Sequence, residues 1–174
     1  MLDGGSPVAA SGEREAFRAL CAAAVPEVYN FALRRCGDSA LAEDVTSEAL
    51  LAAATRYCEG EADSVTCAWL ITVARYKLID HWRRAEREQQ RLHLVNTDDT
   101  VLPAGSDESP TGRALTVLRE MAPAYQAVLT LRYLDNLSVP DVAVALDRSV
   151  HATESLLTRA KAAFRRAYLE CPDE

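Results

Sequence analysis

The sequence predicts an all-α protein made of two small helical domains joined by a flexible acidic linker, with a helix-turn-helix in the second domain. Apolar residues recur every three or four positions along most of the chain, which is the helical period, and no segment alternates as a strand does. Residues 96–112 (NTDDTVLPAGSDESPTG) lack any period and are rich in Asp, Ser, Pro and Gly. The predicted boundaries are a flexible N-terminus at 1–12, a helical domain at 13–94, the linker at 95–112 and a helix-turn-helix domain at 113–170.

Two predicted helices open the first domain. Residues 13–36 carry apolar side chains at helical spacing and form one helix, which we expect to kink near Pro26. The Gly-Asp-Ser segment that follows stops this helix and caps the next one. The second helix runs from Asp38 or Ser39 to Tyr57, with Val45 and Ala49 inward and an acidic outer face.

The third helix contains the stretch AWLITVARYKLIDHWRRAERE at 68–88 and continues to about residue 94. On a helical wheel, one face collects apolar side chains that can close a core: Leu70, Ile71, Ala74, Leu78 and Trp82. The opposite face collects Trp69, Thr72, Tyr76, Asp80 and Arg83. Aromatic rings interleaved with arginines indicate a partner with planar bases and phosphates.

The second domain contains a predicted helix-turn-helix. Ser138 is a suitable N-cap for its first helix, with Asp141 three residues on, and Pro140 falls in the first turn, where its missing N–H costs little. Asp147 and Arg148 form the turn, because Asp tolerates a left-handed backbone better than most residues. Ser149 then caps the second helix.

The second helix of this hairpin has the composition of a DNA reader. Its predicted buried side is formed by Leu156, Leu157, Ala160, Phe164 and Ala167. Its outward side begins with polar residues of a size that suits base edges in a major groove: His151, Glu154, Ser155 and Thr158. The basic residues that suit phosphates are Arg159, Lys161, Arg165 and Arg166.

Composition places the chain among soluble globular proteins. It has 174 residues, of which 49% are hydrophobic and 26% charged. No apolar run approaches the roughly 20 residues of a membrane span, and the first residues lack the features of a signal peptide, so we expect a cytoplasmic protein without membrane insertion. The formal net charge of −7 argues against a free-standing nucleic-acid binder. DNA binding, if present, must therefore be local and assisted.

Catalysis and metal binding find little support in the sequence. There is no phosphate-cradling glycine loop and no nucleophile or zinc-protease motif, and the histidines are scattered at His81, His93 and His151. The cysteines form no close pair, which predicts reduced thiols that mostly fill small core positions: Cys21, Cys36, Cys58, Cys67 and Cys171. We therefore expect a protein that is not an enzyme and has neither a cofactor nor a metal site.

Four motifs in this order resemble an extracytoplasmic-function (ECF) sigma factor of the sigma-70 family, a small bacterial initiation subunit with only sigma regions 2 and 4. AEDVTSEALL (42–51) is similar to that family's core-polymerase-binding segment, and AWLITVARYKLIDHWRR (68–84) to the segment that engages the minus-ten promoter element. Residues 121–146 and 149–166 are similar to the module that reads the minus-thirty-five element. The resemblance covers about residues 13–168 and implies binding to core RNA polymerase and promoter DNA, under the control of an anti-sigma factor.

The resemblance also implies roles for individual residues. Asp44, Ser47 and Glu48 stand where the family meets the clamp helices of the large polymerase subunit, and their acidic character fits a basic partner. The promoter-facing basic positions are Arg75, Lys77, Arg83 and Arg84, and Tyr76 shares their surface. Part of the pocket that captures an unstacked base belongs to the loop before the helix, here residues 60–66.

Four positions depart from the family pattern. Tyr76 stands where Asn is frequent, Asp147 replaces the usual turn glycine, and Glu154 and Leu156 occupy places where Lys and Arg are common. The exchange at Tyr76 puts one promoter contact in question, whereas those at Asp147, Glu154 and Leu156 remove positive charge from the DNA-facing module and imply a different promoter sequence or weaker phosphate anchoring. The negative charges that we expect to keep the linker off the DNA are Asp98, Asp99, Asp107 and Glu108.

Two other readings remain open at this point. A helix-turn-helix repressor would use its first domain to sense a ligand or to dimerise, and it would leave the aromatic and basic face of the third helix unexplained. An adaptor would bind another protein through its apolar surfaces. Binding to core polymerase distinguishes the sigma factor from both.

Overall fold

The structure, a computed structural model, describes residues 7–92 and 109–170. These residues are mostly helical and contain no strand, which confirms the all-α prediction. They divide into two compact units. Unit 1 holds the first helix up to Leu33 together with Ser39–Lys77, and unit 2 holds Arg34–Asp38 and the chain from Leu78 onward. The linker acids named above and His93 lie outside the described residues.

Seven α-helices follow one another along the described chain: α1 Pro7–Cys36, α2 Ser39–Cys58, α3 Cys67–Leu92, α4 Pro110–Arg119, α5 Pro123–Leu129, α6 Val139–Ala145 and α7 Val150–Glu170. A short 3-10 helix, Ala62–Ser64, lies between α2 and α3, and a π-helical turn, Thr130–Leu134, extends α5. Helix α1 begins six residues before the segment that the sequence assigns to the first domain, and α4 begins inside the segment assigned to the linker. Pro26 lies within the continuous helix α1.

Small side chains dominate the core of unit 1. They come from α1, α2, the loop before α3 and the first half of α3: Ala24, Val28, Ala32, Ala42, Val45, Ala49, Ala53, Val65, Leu70 and Ala74. Because alanine places little volume between helices, their backbones can approach closely. The ring of Phe17 in α1 stacks on that of Tyr57 in α2 at a centroid distance of 4.5 Å.

Unit 2 is built around α7, against which α4, α5 and α6 pack. Its core includes Val117, Leu118, Ala127, Val128, Leu131, Val142, Ala143, Leu156, Leu157 and Ala160. The π-helical turn is closed by a hydrogen bond from the Asp135 N–H to the Thr130 carbonyl, at 3.0 Å. Asn136 follows with a φ of 54°, a left-handed conformation that Asn adopts more readily than most residues.

The helix-turn-helix prediction is confirmed in its local detail. Ser138 Oγ accepts the Asp141 N–H at 3.3 Å at the start of α6, and Ser149 Oγ accepts the Ala152 N–H at 3.2 Å at the start of α7. Asp147 has a φ of 54°, so the turn does use a left-handed residue. Hydrogen bonds between these serine hydroxyls and backbone N–H groups therefore form the helix starts that the sequence indicates.

Two other expectations are wrong. Ala167 is exposed, because in this turn of α7 it is the neighbouring Tyr168 that faces α4, with its ring centroid 4.6 Å from the Arg113 guanidinium. None of the four cysteines in the described chain is buried, since each lies near a helix end or on a helix flank rather than in the core: Cys21, Cys36, Cys58 and Cys67.

Among residues 7–92 and 109–170, no helix has the length and apolar composition that a membrane span requires.

Candidate nucleic-acid and protein interfaces

Helix α2 presents an acidic face on unit 1. Asp44, Ser47 and Glu48 are all exposed, while Val45 and Ala49 on the opposite side are buried. Glu48 Oε2 forms an ion pair with Lys77 Nζ of α3 at 2.8 Å. The three residues that the sequence predicts for polymerase binding thus share one surface, and their role in binding stays a prediction.

Leu51 adds an apolar group to this acidic face. Its side chain is 68% exposed, one turn after Ser47 and Glu48. Sequence reasoning missed it, because an apolar residue in a helix is by default assigned to the core. The signal was available in the helical spacing, which places Leu51 with Asp44 and Glu48 rather than with Ala49 and Ala53.

The first half of α3 carries the aromatic and basic surface of unit 1. Tyr76 is 61% exposed, and Thr72 is exposed one turn before it. The guanidinium of Arg75 lies 5.7 Å from the ring centroid of Phe31 in α1. Trp69, at the start of the helix, is half-buried. The side chains therefore form the mixed aromatic and cationic surface that the sequence predicts, although Lys77 is already paired with Glu48.

Trp69 is held by a side chain that sequence reasoning missed. The guanidinium of Arg56, in the last turn of α2, lies 5.2 Å from the Trp69 ring centroid. It also forms an ion pair with Glu61 Oε2 at 2.9 Å and donates a hydrogen bond to Ser64 Oγ at 2.8 Å. Ser64 Oγ in turn donates to the Glu61 carbonyl at 2.7 Å. We call Arg56, Glu61, Ser64 and Trp69 the loop clasp.

The second half of α3 belongs to unit 2, where its predicted DNA-binding residues differ in their surroundings. Arg84 is exposed. Arg83 forms an ion pair with Asp147 Oδ2, in the turn between α6 and α7, at 3.0 Å. Arg148, the next residue of that turn, pairs with Glu86 of α3. In this structure Arg83 is thus neutralised by the residue that replaces the usual turn glycine.

The amino-terminal half of α7 exposes the predicted base-reading residues together. His151, Glu154, Ser155, Thr158 and Arg159 all face outward. Thr158 Oγ1 donates a hydrogen bond to the Glu154 carbonyl at 2.9 Å, which leaves its oxygen able to accept from a base. Leu156, named above as a departure that costs positive charge, is buried at 3% exposure. That part of the interpretation is wrong, because this position lies in the core and cannot contact DNA.

Lys161 and Arg165 lie on a different feature of unit 2. They border an apolar groove of about 370 Å³ between α7, α4 and the extended end of α5. The groove is lined by Ala114, Leu115, Leu118, Leu129, Tyr133, Leu134 and Phe164. Tyr133 is 55% exposed in it. A helical wheel gives the direction of Lys161 and Arg165 but not their neighbours, so the sequence did not reveal this groove.

Comparison with known proteins relates these surfaces to a family. Residues 20–88 match the model for sigma-70 region 2, and residues 111–164 match the model for sigma-70 region 4. The chain is 32% identical over 167 residues to the ECF RNA polymerase sigma factor SigL of Mycobacterium tuberculosis, a match that covers 90% of this chain and 91% of SigL. It is also 32% identical over 166 residues to the ECF RNA polymerase sigma factor BldN of Streptomyces coelicolor, where it covers 87% of this chain but 60% of BldN.

One solved structure shares the fold over nearly its full length. It is the co-crystal structure of the sigma factor RpoE with the anti-sigma factor NepR from Bartonella quintana. The match has a TM-score of 0.51 and covers 91% of this chain and 99% of RpoE. At 19% sequence identity, this likeness bears on the fold alone.

Proposed function

The chain belongs to the ECF RNA polymerase sigma factors, and we propose that it binds core polymerase, melts a minus-ten element and reads a minus-thirty-five element. The observation that carries this proposal is the presence of regions 2 and 4, in that order, in the chain. Its match to SigL covers 91% of the length of SigL. Proteins of this family are initiation factors without chemistry of their own. We accordingly assign the chain no catalytic residue and no cofactor, and we expect it to act in the cytoplasm.

The acidic face of α2 is the surface we assign to core polymerase. Asp44 and Glu48 supply negative charge for a basic partner, which favours encounter and orientation more than affinity. Leu51 supplies exposed apolar area one turn after Glu48. In protein interfaces, a few residues that become fully buried near the centre carry most of the affinity, while the contacts around them exclude water. This arrangement supports a helix-to-helix contact centred on Leu51.

We assign helix α7 to recognition of the minus-thirty-five promoter element. His151, Glu154 and Ser155 are exposed at the amino-terminal end of the second helix of a helix-turn-helix, where such helices meet base edges. Arg159 is exposed on the same half of the helix and suits a phosphate. Glu154 can accept a hydrogen bond from a cytosine amino group, so it favours a promoter unlike one read by Lys.

We assign the first half of α3 to recognition of the minus-ten promoter element. Tyr76 and Trp69 offer rings on which unpaired bases can stack, and Arg75 lies between them in sequence. A base that leaves the duplex loses stacking and pairing worth a few kcal/mol, and a protein ring can replace part of it. Recognition of the unstacked base would therefore favour opening of the duplex.

The apolar groove of unit 2 is the surface on which we expect an anti-sigma factor to dock. Its lining is mostly aliphatic and aromatic, and Lys161 and Arg165 stand at its border. This combination suits an amphipathic helix whose polar side is acidic. We accordingly place Lys161 and Arg165 at a protein interface as well as near DNA, and their use by one partner would exclude the other.

Transcription from a purified system tests the proposal. The chain is added to bacterial core polymerase with genomic DNA from the organism that encodes it, and the transcripts are sequenced. Discrete new start sites that share two upstream elements are expected, and they would also supply the promoter sequence. Failure of the folded chain to bind core polymerase or to produce new transcripts would contradict the proposal and favour the helix-turn-helix repressor.

A further inference from the structure

Arg56 belongs to the last turn of α2 but lies off its acidic face. Its side chain contacts both the loop that follows α2 and the start of α3. Its guanidinium contacts Glu61, Ser64 and the ring of Trp69. We propose that Arg56 is a positioning residue for promoter DNA, which holds Trp69 so that one base of the melted strand stacks on it. This inference rests on the proposed function and assigns a residue that the family resemblance does not.

Arg56 is poorly suited to bind DNA directly. Its side chain is 38% exposed, and its Nη1 group already contacts a carboxylate and a hydroxyl. A phosphate that binds this guanidinium would have to compete with the Glu61 carboxylate, whose Oε2 lies 2.9 Å from Nη1. Its contribution to DNA binding therefore passes through the groups that it holds.

The loop that Arg56 holds has a defined backbone. Gly60 adopts a φ of +81°, which begins a tight turn that a side chain would strain. Val65 is buried at 3% exposure and anchors the far end of the loop in the core of unit 1. Thr66 Oγ1 accepts the Trp69 N–H at 3.1 Å and so fixes the first turn of α3. Loop and helix start are thus set before any ligand arrives, and Arg56 joins both to α2.

Trp69 is placed to stack on a base. It lies seven residues before Tyr76, which is two helical turns, so the two rings stand on one face about 10 Å apart along α3. A guanidinium 5.2 Å from the centroid of an indole ring limits the orientations that the ring can adopt, and Trp69 is only half-buried, so part of its surface is accessible to another planar group. Base stacking on a protein ring is sequence-tolerant and depends strongly on ring orientation. Loss of Arg56 should therefore weaken stacking at one promoter position and leave the acidic face of α2 unchanged.

The test uses holoenzyme reconstituted from core polymerase and full-length chain, on a promoter identified by the start-site experiment. A 2-aminopurine probe replaces one base of the minus-ten element at a time, and its fluorescence is followed as the complex opens. With the wild-type chain, one position should stay quenched after opening because the probe stacks on Trp69. With Arg56→Ala, that position should become bright and opening should slow by roughly three- to tenfold.

Matched variants separate positioning from general effects. Arg56→Lys keeps the charge and should restore part of the quenching, because an ammonium can donate to Glu61 and Ser64 but lacks the planar group that stacks on the Trp69 ring. Glu61→Gln combined with Ser64→Ala loosens the clasp while leaving Arg56 in place, and should give a weaker form of the same defect. Glu59→Gln and Arg18→Ala change exposed charges outside the clasp and should behave as wild type.

Two results would overturn the proposal. One is an Arg56→Ala holoenzyme with the wild-type quenching pattern and opening rate. The other is an equal loss of core binding and opening, which would mean that Arg56 supports the fold of unit 1. A wild-type chain that binds core polymerase but opens no promoter would instead contradict the proposed function itself, and with it this inference.

Discussion

Removing the charge of Asp147 should strengthen DNA binding by the free chain. In the structure, Asp147 Oδ2 lies 3.0 Å from a guanidinium nitrogen of Arg83, so any phosphate that binds Arg83 must first displace a carboxylate. The substitution Asp147→Asn removes the charge and preserves the turn, because Asn adopts the left-handed conformation found here at least as readily as Asp. The perturbation therefore isolates the electrostatic role of Asp147.

The size of the effect follows from exposure. Asp147 is 84% exposed and Arg83 33% exposed at the side chain, so solvent screens the pair. Exposed ion pairs contribute about 0.2–1 kcal/mol. Freeing Arg83 should thus raise the affinity for promoter duplex by roughly 1.4- to fivefold at low salt, since about 1.4 kcal/mol corresponds to a factor of ten. One additional phosphate contact should also steepen the salt dependence of log K by about 0.9.

The assay is fluorescence anisotropy of a labelled promoter duplex, titrated with the free chain at several salt concentrations. Glu120→Gln is the matched control, because it removes one exposed negative charge from unit 2 at the end of α4. A double-mutant cycle with Arg83→Ala isolates the pair. If Asp147→Asn increases affinity equally in the Arg83→Ala background, or no more than Glu120→Gln does, the reasoning about the ion pair is refuted.

Three further predictions concern the other surfaces. Arg84→Ala should slow open-complex formation while core affinity stays within twofold, and Asp44→Arg should do the reverse; core pull-down and permanganate footprinting measure both, and parallel losses in each variant would contradict the assignment. Leu51→Ala should weaken core binding by about tenfold without lowering the melting temperature, as expected of an exposed interface residue; unchanged affinity would exclude Leu51 from the interface. Cys36 is half-buried, and this partial desolvation raises the pKa of its thiol, so at pH 8 it should alkylate more slowly than exposed Cys58; equal rates by peptide mapping would argue against this desolvation.

Local signals explain what the sequence predicted well. Ser138, Asp147 and Ser149 each act on backbone groups within four residues, so their roles can be predicted without knowledge of any distant part of the chain. The buried side of α3 was predicted for the same reason, because Leu70, Ala74 and Leu78 recur at helical spacing. In each case the interaction joins residues that are close in sequence, so the local pattern of residues is enough to predict it.

Contacts between residues distant in sequence explain what the sequence missed. Arg35 Nε donates to Asp135 Oδ1 at 2.9 Å, across 100 positions, and the Asp135 side chain is only 1% exposed. Nothing near either residue indicates the other. Arg56 is recognisable only once the loop is folded back on α2, and the groove beside Lys161 only once α4 lies against α7. Helical spacing gives the direction in which a side chain points, whereas these features depend on which residues of other elements that side chain contacts.

The ion pairs of the basic residues help to explain how a chain with a net charge of −7 can bind DNA. Of the basic residues predicted to face the promoter, Lys77 is paired with Glu48 and Arg83 with Asp147, so both are neutralised before DNA arrives. The Lys77 pair has a further consequence, because Glu48 also belongs to the proposed polymerase-binding face. A basic polymerase surface that attracts Glu48 would release Lys77, and core binding would thereby increase the positive charge available to the promoter. Such a coupling would give a physical reason for an acidic chain to bind DNA more effectively as part of the holoenzyme.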